Sequence, residues 1–172
     1  MVRQGDYENY MREALRLGAE AAERGEIPVG CVIADGAGRV IGAGSNRREE
    51  TRCVTGHAEL EALEKACRAR GDWRLEDCTL FVTLEPCPMC AGAMIGARLG
   101  ALVYGARERE TGAAGSVLNL FMERFGHQRT AVYSGVLEAE SAALLRAFFD
   151  EKRKESPPGG LGGHTGGTGP RP

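Results

Sequence analysis

Four residues have the types and spacing to hold a metal ion and move a proton beside it. His57 and Glu59 stand two apart in GHAELEALEKA (56–66), and Cys87 and Cys90 stand three apart in LEPCPMCAGAM (84–94). Residues at i and i+3 share a helix face, so a helix beginning at Cys87 points both sulfurs to one side. Pro86 and Pro88 mark that beginning, because a proline in the first turn gives up no hydrogen bond the helix would have made. The thiols then sit at the positive end of the helix dipole, which favours the thiolate form that binds metal. Two thiolates and an imidazole make three ligands, whereas zinc prefers four, which leaves a position for water. A closed structural site needs a fourth protein ligand, and the remaining histidines, His127 and His164, lie far along the chain. The pattern therefore predicts an open, catalytic zinc site. Residues two apart on a regular helix do not face one ion together, so His57 is read as ligand and Glu59 as its neighbour. A carboxylate beside a metal-activated water can take its proton and pass it on. Either motif alone is common in proteins without this chemistry; the reading rests on the two together.

The elements that must bring these motifs together can be read from periodicity. Apolar residues at helical spacing from Tyr10 to Ala22 predict a first helix, with Asp6 as its cap, running to about Arg24. VGCVIA (29–34) and RVIGAGS (39–45) predict two strands joined by the turn DGAG. A loop, NRREETRCVTG, leads into a helix from about His57 to Arg70. CTLFVTL (78–84) predicts a buried strand, followed by a helix over about 87–97 and a strand, ALVYG (101–105). TAVYSG and a helix over about 138–154 complete the series. This β-α-β-α-β order calls for a sheet with helices on its faces.

The chain has 172 residues, 42% of them hydrophobic and 6% aromatic, which suits one domain with a real core. Domain limits of 1–155 are expected, with a disordered tail at 156–172, where Gly and Pro make up 11 of 17 residues. A formal net charge of −2 gives no overall basic field, so a nucleic-acid partner would need a local patch. Arg47, Arg48, Arg52, Arg107, Arg109, Lys152, Arg153 and Lys154 are candidates for phosphate contacts. No signal-peptide-like apolar run and no stretch of 18 uncharged apolar residues occurs, so a cytoplasmic protein with no membrane partner is expected. Six cysteines in a reducing compartment favour free thiols or metal over disulfides.

HAE followed 26 residues later by PCPMC resembles the signature of the nucleoside and nucleobase zinc deaminases. EIPVGCVI, VIGAGSNR, TLEPCPMCAGAMIGAR and RETGAAGS extend the resemblance, over about residues 6–154, to the bacterial tRNA-specific adenosine deaminase family. TGAAGS is the most discriminating of these, because relatives acting on guanine, cytosine or deoxycytidylate usually lack it. The resemblance implies a three-layer α/β/α sandwich with a central mixed five-stranded sheet of the cytidine deaminase type. It implies a hydrolase carrying one zinc per chain that converts the wobble adenosine of an anticodon to inosine. His57, Cys87 and Cys90 match the zinc ligands and Glu59 the proton shuttle; zinc-bound hydroxide would add to C6 of adenine while Glu59 protonates N1 and later the leaving amine. Asn46 matches a base-contacting asparagine, Glu108 a position near the RNA backbone, and Phe149 an aromatic of the last helix near the target loop. A tRNA anticodon stem-loop is the implied partner. A homodimer is implied too, for which AGAMIGARLGALVYG offers an apolar face. Two departures bear on substrate preference: CVTG precedes His57 where the family commonly has DPTA, and glutamate stands at 108 in place of aspartate. The alternatives are a deaminase of a free base or nucleotide, and a non-catalytic zinc-stabilised RNA-binding module, against which Glu59 argues.

Overall fold

A computed structural model describes residues 2–122 and 129–155. His127, His164 and the Gly/Pro-rich stretch at 156–172 lie outside the described residues. A 3-10 turn (Gln4–Asp6) leads into α1 (Tyr7–Glu23), whose buried face, Tyr7, Met11, Ala14, Gly18 and Ala21, repeats at helical period. Asp6 takes the expected N-cap position of α1, at the end of that turn and in αR conformation, but its side chain makes no cap bond.

Strands β1 (Gly30–Ala34) and β2 (Val40–Ser45) form the expected antiparallel hairpin. At its turn Asp35 Oδ1 accepts the backbone N–H groups of Ala37 and Arg39, the Asx device that makes aspartate a turn residue. The stretch read as a plain loop contains one helical turn, α2 (Arg48–Thr51). Then follow α3 (Ala58–Arg70), β3 (Thr79–Leu84), α4 (Pro88–Gly96), β4 (Ala101–Ala106), β5 (Ala131–Ser134) and α5 (Glu138–Glu155).

The sheet order is β2-β1-β3-β4-β5, antiparallel between β2, β1 and β3 and parallel from β3 to β5. Helices α1 and α5 pack together on one face; α3 and α4 cover the other. This is the mixed five-stranded, three-layer sandwich that the family resemblance implies. β1, β3 and β4 are buried almost throughout, as continuous apolar runs between two helical layers should be.

One contact fixes α3, and with it His57 and Glu59. A Cβ on Gly42 would lie 2.3 Å from the carbonyl oxygen of Ala62, and one on Gly44 2.3 Å from that of Ala58. The two glycines let the helix backbone rest directly on β2. The parallel β3–α4–β4 unit does the corresponding work for the cysteines, because it delivers the start of α4 to the carboxyl end of β3.

Candidate active site

Both predicted motifs sit at helix starts, and each helix begins one residue later than periodicity placed it, at Ala58 and at Pro88. His57 caps α3 with extended backbone (φ −90°, ψ 144°), and Cys87 caps α4 likewise (φ −73°, ψ 170°), with Pro88 at the first helical position. Cys90 lies in the first turn of α4 and is fully buried. His57 Nδ1 is 3.8 Å from Cys87 Sγ and 3.5 Å from Cys90 Sγ, and the two sulfurs are 3.7 Å apart. Around a tetrahedral zinc with Zn–S of about 2.3 Å and Zn–N of about 2.0 Å, the sulfur–sulfur edge is about 3.8 Å and the sulfur–nitrogen edge about 3.5 Å. The three ligand atoms already span that triangle, so the donor set fits a tetrahedral ion with a fourth corner open. Among the described residues this is the only group of three or more His, Cys, Asp or Glu with metal-site geometry.

The hydrogen bond between the two thiols, with His57 alongside, holds the Cys87 sulfur down to about 3, while the same bond and burial drive Cys90 far up. The His57 imidazole is raised, first by its hydrogen bond with Cys87, against the effect of burial. A dication at the centre removes this competition, because it favours both thiolates and the neutral imidazole at once.

Glu59 occupies the first turn of α3, 4% exposed, and its carboxyl is raised by burial, with the His57 and Cys90 neighbours pulling the other way. The two-residue spacing is no obstacle to sharing the site, because His57 is extended and only Glu59 is helical. A carboxyl raised above its ordinary range beside a metal-ligand triad is suited to carry a proton in both directions.

A cleft of about 290 Å³ opens over these groups. Asn46, Glu108 and Phe149 all line it, together with His57, Glu59 and Cys87. Asn46 is buried, Glu108 is half-buried and Phe149 is 43% exposed. The adjacent Phe148 is buried instead, so the Phe-Phe pair divides between core and cleft. Ile27, Val29, Leu84 and Leu145 supply apolar wall. Of the basic residues named above, Arg48 and Arg107 line the cleft. Arg47 is engaged by Glu50 and Glu61, and Arg153 by Asp150.

Two buried carboxylates went unassigned in the sequence. Glu85, 2% exposed, gathers the segment that carries Arg107, Glu108 and Thr111. Its Oε1 accepts the N–H groups of Ala114 (3.0 Å) and Ser116 (2.9 Å), and its Oε2 accepts Glu108 N–H (3.1 Å) and the Ser116 hydroxyl. Glu26, 1% exposed, accepts Asn46 Nδ2 (3.1 Å) and the Glu50 N–H (2.8 Å) on the opposite wall. The available signal was an acid at the mouth of a buried strand: Glu26 precedes β1 and Glu85 follows β3.

Residues 5–153 match the MafB19-like deaminase family. The tRNA-specific adenosine deaminase of Bacillus subtilis is 46% identical over 149 residues, covering 86% of this chain and 91% of that one. A solved chain from work on A-to-I editing by tRNA:A34 deaminases at the wobble position superposes with a TM-score of 0.76 at 43% identity, over 80% of this chain and 99% of that one. A guanine deaminase structure from Bacillus subtilis is more distant, with a TM-score of 0.56 at 32% identity over 83% of this chain and 93% of that one.

Proposed function

The chain belongs to the MafB19-like deaminase family, among the tRNA-specific adenosine deaminases, and from that premise we propose that it hydrolyses the wobble adenosine of a tRNA anticodon to inosine and ammonia. The observation that carries the reading is the tetrahedral triangle of His57, Cys87 and Cys90 beneath a cleft that also holds a buried glutamate. These three residues would hold one zinc ion, which, when bound, supplies a Lewis acid that lowers the pKa of water to near neutrality.

The chain's own groups account for the proton traffic. Glu59 takes a proton from the attacking water and delivers it to N1 of the base, while the water oxygen bonds to C6. It then takes the remaining hydroxyl proton and gives it to the C6 amino group. The C–N bond breaks, ammonia leaves, and the base keeps a 6-oxo group with a proton on N1. Asn46 meets the base, Phe149 and the aliphatic wall exclude water around it, and Arg48 and Arg107 face the phosphates on either side. An anticodon loop suits such a cleft because its bases are flipped at little cost.

A homodimer belongs to the proposal. Of the apolar run 91–105, β4 is consumed by the sheet, which leaves Gly92, Ile95 and Gly96 as the open face of α4. No helix among the described residues is long and apolar enough to cross a membrane. The substrate class puts the work in the cytoplasm.

The deciding assay compares inosine formation in an anticodon stem-loop transcript with deamination of free guanine, cytosine and deoxycytidylate at equal low salt. The stem-loop should be the fastest substrate by orders of magnitude. Faster turnover of a free base would overturn the tRNA assignment and leave the metal assignment standing.

A further inference from the structure

Glu26 is among the largest side chains that are fully buried, and proton transfer at Glu59 makes no use of it. Arg24, two residues away, turns to Glu50 and Ser45 instead. Burying a carboxylate without a cation is costly unless hydrogen bonds compensate. Here both oxygens accept: Oε2 from Asn46 Nδ2 and Oε1 from the first turn of α2 at Glu50 N–H.

An asparagine amide has two ends of nearly equal shape and opposite hydrogen-bonding sense. A carboxylate offers acceptors, so it draws the NH2 end of Asn46 and commits one of its hydrogens. What remains of the amide is an edge with one acceptor, Oδ1, and one donor, the second N–H. Asn46 lines the cleft beside His57 and Glu59. An acceptor–donor edge of this kind matches the 6-amino group and N7 of adenine, whereas a 6-oxo purine sets an oxygen against Oδ1. We infer that Glu26 is a positioning residue for base specificity: by holding Nδ2 of Asn46 it fixes the amide so that the cleft selects a purine with a 6-amino group. The inference rests on the deaminase reading given above.

Glu26→Gln is the diagnostic substitution. A glutamine that keeps the Glu50 N–H on its one oxygen presents NH2 to the NH2 of Asn46, and the asparagine must turn over. On the metal-loaded full chain, kcat/KM for the stem-loop should fall about 10- to 100-fold, the loss of one two-point base contact. Asn46→Ala should fall by a similar factor, and the double variant should fall no further than Asn46→Ala alone, within about twofold. Replacing the target with 7-deazaadenosine should cost the wild type about tenfold and Glu26→Gln less than about twofold. Losses that multiply, or equal sensitivity to the 7-deaza substitution, would overturn the inference. Should Glu26→Gln lose its fold by thermal midpoint, Glu26→Asp keeps the acceptors on a shorter stem, and the same non-additivity with Asn46→Ala is expected.

An activity-free readout separates this inference from the substrate assignment. In ¹⁵N-labelled protein, the Asn46 side-chain amide should have one proton shifted downfield and slow to exchange, and Glu26→Gln should abolish the shift. An unshifted amide in a protein that makes inosine sinks the role of Glu26. A shifted amide in a protein that makes none sinks the tRNA reading instead.

Discussion

Replacing Glu85 with glutamine should loosen one whole wall of the cleft while leaving the metal ligands alone. Four donors converge on the two oxygens of this carboxylate, three of them backbone N–H groups from Glu108, Ala114 and Ser116. Glutamine keeps one oxygen. The least damaging choice retains Ala114 and Ser116 N–H on that oxygen and lets the Ser116 hydroxyl turn to accept, which leaves the Glu108 N–H facing an NH2 group. An unsatisfied backbone donor costs about 1–3 kcal/mol, and turning charge-assisted bonds into neutral ones costs about 1 kcal/mol more, so a loss of about 2–4 kcal/mol follows. For a domain of this size that is a drop of roughly 5–15 °C in Tm. The pH dependence supplies a second check. Burial opposes ionisation of Glu85, but the Ser116 hydroxyl and the N–H donors together outweigh it, so the carboxyl lies below the ordinary 4.5. A depressed folded pKa means its stabilisation is fully present above 4.5 and is lost as pH falls through the lower folded value. The gap between wild type and Glu85→Gln should therefore be constant near neutrality and close in acid. Calorimetry at several pH values, with hydrogen exchange of the peptide covering 106–118, reads both effects. A Tm within about 2 °C of wild type and unchanged exchange in that peptide would refute the assignment of Glu85 as the anchor of this wall.

Three other outcomes are expected. Cys87→Ser, Cys90→Ser and His57→Ala should each lose most of the bound zinc, read by native mass spectrometry, together with several degrees of Tm, because metal binding is also folding energy; full occupancy in any one would remove that residue from the ligand set. Glu59→Gln should keep zinc and Tm while turnover falls by at least about 100-fold, and metal loss equal to that of His57→Ala would make Glu59 a ligand. Arg48→Ala and Arg107→Ala should each weaken stem-loop binding and reduce the slope of log K against log salt by about 0.7 to 1, whereas Arg153→Ala, at a residue already paired with Asp150, should leave the slope in place.

The features legible in the sequence were those whose signal is local. HAE and PCPMC could be read as a metal site because ligand spacing and helix-start chemistry are short-range, and the strands stood out as continuous apolar runs. The starts of α3 and α4 were placed one residue early for a physical reason: His57 and Cys87 are extended caps, so a helical pattern includes them while the backbone does not. Arg47 and Arg48 are adjacent and chemically alike, yet one is tied to Glu50 and the other faces the cleft. That difference depends on the phase of the single turn α2, which no periodicity reveals in four residues. Glu26 and Glu85 were illegible for the converse reason. Their partners lie 20 to 31 residues away, and a lone glutamate beside a strand looks like any solvated charge until the fold closes over it.

The seating of α3 on Gly42 and Gly44 separates what in this cleft can be retooled from what cannot. The nearest approach there is to the helix's own carbonyl oxygens, so a side chain added at either glycine would push α3, and with it His57 and Glu59, off the sheet. The two recognition walls are hung from single carboxylates and offer separate handles. A campaign to redirect this scaffold toward another base would best randomise 46–56 and 107–118, and leave the two glycines of β2 untouched.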